Sequence, residues 1–261
     1  MSAGTAIVTG AARGIGAAVV RRLAGSGWRV VAVDVCADDP RVQYALASRE
    51  QLAALAAEHP DSVVDVVADV QDLAALRDAV AVAENRFGGL DAAVAGAALM
   101  AGGQPLWETS DKEWDALFSV GVVGVANLAR AAIPALLRRP EPRHGRFVAL
   151  ASSAAHHGLW HLAGYNAAKH AVVGLIKGLA ADLRGTGICA SAVSPGSTRT
   201  DLLAATAQLY ELPDVAAFAR HQLVERLLEP DEIAAVVCFL CSPESSAITG
   251  SVVQADGGFL P

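Results

Sequence analysis

Thr5-Ala6-Ile7-Val8-Thr9 is a short apolar run that ends in Gly10-Ala11-Ala12-Arg13-Gly14-Ile15-Gly16, and helical periodicity follows over residues 13–24. β-Branched residues favour a strand, and glycines let the backbone turn sharply and run close to what it faces. A helix opening straight after such a turn presents unpaired N–H groups and the positive end of its dipole, a seat for a pyrophosphate.

The pattern repeats along the chain. Apolar runs at residues 28–35, 62–67, 90–95, 146–151, 188–193 and 251–255 alternate with helical stretches at 73–87, 113–138 and 165–184. Strands interleaved with helices predict a parallel sheet covered on both faces. No low-complexity linker or internal repeat divides the chain. The reading is therefore one doubly wound α/β domain over residues 1–261, with a cofactor half at about 1–140 and a catalytic and substrate half at about 141–261. Residues 36–49 and 198–213 are the least regular, and both follow strands, where ligand-contacting loops of such folds sit.

Composition excludes several classes. Hydrophobic residues make up 53% and charged residues 18%, enough apolar content for a sizeable core. The net charge is −7, and the basic residues are scattered, so no nucleic-acid footprint is expected. Cys238 and Cys241 form a lone Cys-x-x-Cys in an apolar helical stretch, which reads as buried thiols rather than as a redox or metal motif. No metal site is predicted. Met1-Ser2-Ala3-Gly4-Thr5 lacks a basic region and an apolar core, and no uncharged apolar run reaches the length of a bilayer span. A soluble cytoplasmic protein without membrane contact is the expectation.

Two further segments carry chemistry. Tyr165 and Lys169 stand at i and i+4 on one helical face. A free phenol, with a pKa of about 10, is a poor base near neutrality, and a nearby ammonium lowers it. Such a pair can exchange the proton of an alcohol while hydride moves to or from a nicotinamide. The strand at 146–151 runs into Ser152, whose hydroxyl can hold a substrate oxygen beside the tyrosine; Ser153 is the alternative. Asp34, at the end of the second strand, can accept both adenosine ribose hydroxyls and would repel a 2′-phosphate, which favours NAD over NADP. His156, His157 and His161 read as pocket lining, with Trp160 as an apolar wall.

The chain resembles the short-chain dehydrogenase/reductase family from end to end. The glycine spacing Thr9-Gly10-x-x-x-Gly14-x-Gly16, Tyr165-x-x-x-Lys169 with Ser152 thirteen residues before the tyrosine, Pro195-Gly196-Ser197-Thr198 and the closing Gln254-Ala255-Asp256-Gly257-Gly258 carry the likeness. It implies a Rossmann-type fold and catalysis by Ser152, Tyr165 and Lys169. It implies NAD contacts from Gly10, Arg13, Gly14, Ile15, Gly16, Asp34, Asp69, Val70, Ala95, Gly96, Ala97, Tyr165, Lys169, Pro195, Gly196 and Thr198. Asp69 also reads as a cap for the following helix. The substrate class is an alcohol or ketone, and a homodimer or homotetramer is expected.

Three departures stand out. Ala95-Gly96-Ala97-Ala98 replaces the family's Asn-Asn-Ala-Gly. Gly121 replaces an asparagine thought to hold a water that links the lysine to solvent, while Asn127 is expected to face elsewhere. Thirty-five residues separate Asp34 from Asp69, a longer span than usual. That insertion, with Gly158-Leu159-Trp160-His161-Leu162 and Gly196-Ser197-Thr198-Arg199-Thr200, resembles the mycofactocin-coupled branch, which implies a tightly held NAD and an external peptide-derived redox carrier. The other readings are a non-catalytic NAD-sensing protein and an isomerase or dehydratase on the same fold.

Overall fold

The structure is a computed structural model that describes residues 4–260. Met1-Ser2-Ala3, on which part of the reading of the N-terminus rests, and Pro261 lie outside the described residues. Seven parallel strands form one sheet in the order β3-β2-β1-β4-β5-β6-β7. They are β1 (Thr5–Thr9), β2 (Arg29–Asp34), β3 (Val63–Val67), β4 (Ala92–Ala95), β5 (Arg146–Leu150), β6 (Cys189–Pro195) and β7 (Val252–Ala255). The sheet is the doubly wound α/β arrangement that the alternation predicted.

Alternate residues of each strand feed two cores. Ile7, Val31 and Val33 pack on α3 (Leu73–Phe87), α5 (Gly124–Leu137) and α6 (Ala163–Asp182). Ala6, Val8, Val30 and Ala32 pack on α1 (Gly14–Gly25), α2 (Arg49–Ala57) and α8 (Pro230–Cys241). Burial on both faces is why these strands read as continuous apolar runs. Cys238 and Cys241 lie buried in α8.

Several elements differ from the sequence reading. The single helix expected at 113–138 is two, α4 (Asp111–Phe118) and α5, joined by a π-helical turn at Ser119–Val123. Gly124 sits where a Cβ would lie 2.6 Å from Val70 Cγ2, so the wide turn brings the backbone against the β3 loop. Within Asp111–Leu137 an 18-residue window has a mean hydropathy of 1.7, long and apolar enough for a membrane span by composition, but 56% of that window is buried inside the fold, as in a core helix. The irregular stretch 198–213 contains α7 (Asp201–Leu209), capped by Thr200, whose Oγ1 accepts from the Leu203 N–H at 3.3 Å. The segment between β2 and β3 closes with α2, capped by a reciprocal Ser48–Gln51 pair.

Strand order reverses at β1 and β4, whose C-terminal ends lie side by side with Thr9 opposite Ala95. A crevice opens where two such strands send their chains to opposite faces. The Thr9 hydroxyl bridges it, donating to Val94 O at 3.4 Å and accepting from the Gly96 N–H at 3.2 Å.

Candidate active site

A cavity of about 1010 Å³ occupies this crevice and runs on over the ends of β5 and β6. At its floor the backbone passes extremely close to itself. Gly10 has φ +66°, and a Cβ there would stand 2.7 Å from Ala97 N. A Cβ on Gly16 would stand 2.0 Å from Gly10 O. α1 opens at Gly14 with no side chain capping its first N–H groups. Arg13 precedes it and pairs with Asp201 of α7 at 3.2 Å, so α7 is tied to the glycine loop.

The Asp34 carboxylate ends β2 in this cavity. It accepts from the Ala12 N–H at 3.0 Å and the Cys36 N–H at 3.5 Å, which fixes it against the loop. Asp69 binds Gln71 through both backbone and side-chain amide. It does not cap α3; Asp72 does, accepting from Ala74 and Ala75. Asn127 is buried and donates to Val70 O at 3.0 Å and Gln71 O at 3.2 Å. It therefore braces the loop after β3 and does not substitute for the side chain missing at Gly121. A Cβ on Gly121 would meet nothing within 4 Å.

Sequence reasoning missed how the insertion is held. Arg41 pairs with Asp39 and Asp115, both at 2.6 Å, and donates to Ser119 Oγ and Gln71 Oε1. This network raises the Arg41 guanidinium well above its ordinary value and lowers Asp39. Asp38 accepts from the Leu46 N–H, and the Met100 N–H donates to Tyr44 Oη at 2.8 Å. Residues 37–47 thus form a strap from β2 across to α4 and the loop after β4. No local periodicity announces it, because its partners are more than twenty residues away.

Ser152, Tyr165 and Lys169 meet in the cavity wall. Ser152 leaves β5 in extended backbone, and its Oγ accepts from the Ala154 N–H at 3.1 Å. Tyr165 and Lys169 project from the first turns of α6 and are buried. Lys169 Nζ donates to Leu150 O at 2.9 Å and lies 5.7 Å from the centre of the Tyr165 ring. Burial pushes the phenol up to about 12, with the Ser152 hydroxyl pulling the other way, and burial pushes the ammonium down to about 8. Each charge alone is disfavoured here; a phenolate and an ammonium side by side relieve one another.

Pro195, Gly196 and Thr198 line the same cavity, as do Ile15, Val70, Gly96 and Ala97. Ala95 does not; it is buried within β4 and serves the sheet. Ser153 also lines the wall. Gln222, unremarked in the sequence, is buried and donates to Ser197 O and Arg226 O, fixing the loop after β6. The three histidines separate. His156 meets Ser194 Oγ, His157 packs on Phe259, and His161 stacks under Trp160. Among the described residues no three metal-ligating side chains converge.

Comparison with known proteins agrees with this architecture. The family model described as enoyl-(acyl carrier protein) reductase matches residues 10–260. An NAD-dependent oxidoreductase of Mycobacterium tuberculosis strain H37Rv is 34% identical, over 98% of this chain and 95% of its own. The structure of carveol dehydrogenase from Mycobacterium avium in complex with NAD superposes with a TM-score of 0.92 at 28% identity, covering 98% of each chain. That of 3-ketoacyl-(acyl-carrier-protein) reductase from Brucella melitensis with NADH gives 0.85 at 30%, covering 98% of this chain and 97% of the other. With the family model spanning nearly the whole chain and a full-length relative at this identity, the chain belongs to the short-chain dehydrogenase/reductase family of oxidoreductases.

Proposed function

We propose that the protein interconverts an alcohol and a carbonyl compound with NAD as cofactor. The convergence of Ser152, Tyr165 and Lys169 on one wall of the glycine-floored cavity carries this reading. The residues fit the cofactor. The floor at Gly10 and Gly16 leaves no room for side chains, the first N–H groups of α1 are uncapped, and Asp34, fixed at the end of β2 in the same cavity, would accept from a ribose and repel a 2′-phosphate. When bound, NAD supplies the hydride acceptor.

Ser152 orients the substrate hydroxyl. Tyr165 takes its proton in the oxidative direction and returns it to the carbonyl oxygen in the reductive one. Lys169, held by Leu150 O, places positive charge beside the phenolate. The test is NADH formation over a panel of alcohols with wild type and Tyr165→Phe. The variant should bind NAD and lose turnover by about 10²-fold or more. Turnover unchanged in the variant would remove Tyr165 from the chemistry, and binding without turnover in the wild type would favour a sensing protein.

The strap supports a finer reading, a cofactor that stays bound and passes electrons to an external carrier of the mycofactocin type. Arg41 ties the strap to three separate elements beside the Asp34 end of the cavity. NAD should then co-purify and survive dialysis, and free exchange with added NADH would sink the idea. A homodimer or homotetramer accompanies this reading, measurable by sedimentation.

A further inference from the structure

We infer that the substrate is a neutral, ring-bearing secondary alcohol or its ketone, held on a fixed aromatic wall made by Trp160, Tyr210 and Phe218. This rests on the alcohol–carbonyl reading above and names its substrate class.

The wall is built from residues far apart in sequence and lines the end of the cavity beyond Tyr165. Trp160 exposes 70% of its surface, unusual for an indole, yet its ring is not loose. It stacks on His161 with centroids 3.4 Å apart and planes 17° from parallel. His161 has φ +53°, and its Nδ1 lies 3.2 Å from Gly103 O, which pins this turn to the loop after β4. Tyr210, just past α7, donates its hydroxyl to Trp160 O at 2.5 Å. The Tyr210 ring lies 6.0 Å from Trp160 and 6.2 Å from Phe218, in tilted pairs. Three segments are therefore locked together to present aromatic faces, and the Tyr210 phenol is already spent on the lock.

Met100, Leu159, Leu162 and Leu202 line the same cavity, and the Thr206 hydroxyl beside them is spent on Leu202 O. Asp201 is occupied by Arg13, Arg220 is exposed and His221 half-buried, and the buried Lys169 is held by Leu150 O, so among the described residues no buried cation beside the wall waits for a carboxylate. Ser152 and Tyr165 provide for one hydroxyl or carbonyl oxygen. A flat closed ring covers fixed faces without freezing rotors, whereas a linear chain loses rotamer freedom to lie on them.

Three nine-carbon alcohols test this: 1-indanol, 2-nonanol and 3-hydroxynonanoate, oxidised by the protein with NAD added and an artificial dye as terminal electron acceptor. The expected kcat/KM for 1-indanol exceeds that for 2-nonanol by about tenfold, with the carboxylate lowest. Trp160→Leu should remove most of that preference by lowering the 1-indanol value more than the 2-nonanol value. Equal use of the linear alcohol or the carboxylate, or an equal loss on all three in Trp160→Leu, overturns the assignment. Calorimetric binding of 1-indanone and 2-nonanone to Tyr165→Phe separates the wall from the chemistry. Preference for 1-indanone there, with no turnover by wild type, fails the alcohol–carbonyl reading and keeps the wall; equal binding overturns the wall whatever the turnover.

Discussion

Lys169 Nζ donates to the carbonyl oxygen of Leu150, the last residue of β5 and two residues before Ser152. The lysine is therefore fixed to the strand end that presents the serine. Among the described residues the ammonium has no carboxylate partner, and burial lowers its pKa to about 8 from an ordinary 10.5.

That burial makes Lys169 a destabilising residue near neutrality. Below pH 8 both folded and unfolded chains carry the ammonium, and the folded state bears the full desolvation penalty. Between about 8 and 10.5 the folded chain releases its proton first, the unfolded chain binds more protons, and stability rises with pH. The difference corresponds to roughly 3 kcal/mol, less about 1 kcal/mol for the hydrogen bond to Leu150. Lys169→Met is expected to raise Tm at pH 7, to lose that advantage by about pH 10, and to cut turnover by about 10²-fold or more. Thermal melts at the two pH values check it; a variant less stable at pH 7 contradicts the sign.

Gly121→Asn is expected to fold normally, because a Cβ there meets nothing within 4 Å and asparagine is a better helix residue than glycine. The expected Tm change is within about 2 °C. If proton passage from Lys169 to solvent limits turnover, kcat rises and its pH profile moves. An unchanged rate and profile show that this position does not control the proton.

The strands and the site were legible for different reasons. The central strands are buried on both faces and the edge strands β3 and β7 are still rich in valine, so apolar runs marked all seven to within a few residues. That the glycine loop and residues 152, 165 and 169 meet in one cavity was legible because their residue types recur at a fixed spacing along the chain. The break between α4 and α5 was not, since it answers to a contact between Gly124 and Val70 in another element. α7 was hidden by its flanking glycine, serine and threonines, although Thr200-Asp201 is a serviceable cap signal. The strap and the Trp160 wall are tertiary constructions, in which Arg41 and Tyr210 find partners that no local pattern names.

Arg41→Met should loosen the strap without unfolding the chain. Its pairs with Asp39 and Asp115 are partly exposed and contribute little to global stability, at most about 1 kcal/mol. On the proposed reading they hold residues 37–47 beside the cavity, so the expected effect is on cofactor escape. Displacement of bound NADH, followed by its fluorescence, should be at least about tenfold faster than in wild type. A release rate equal to wild type separates the strap from cofactor retention.

Gly16→Ala should be among the most damaging single-methyl additions in the chain. The new Cβ would lie 2.0 Å from the Gly10 carbonyl oxygen, a backbone atom that cannot step aside without moving the turn at the floor of the cavity. The expected destabilisation is about 1–3 kcal/mol or more, and NAD binding should fall with it because the same turn is the proposed seat of the pyrophosphate. Gly25→Ala is the control. It ends α1 with nothing within 4 Å of its Cβ and should gain about 0.4–1 kcal/mol. Urea melts of the pair, with NAD titrations, read both effects. Equal stability in the two variants would mean that the close approach of Gly10 and Gly16 is not what holds the glycine loop in place.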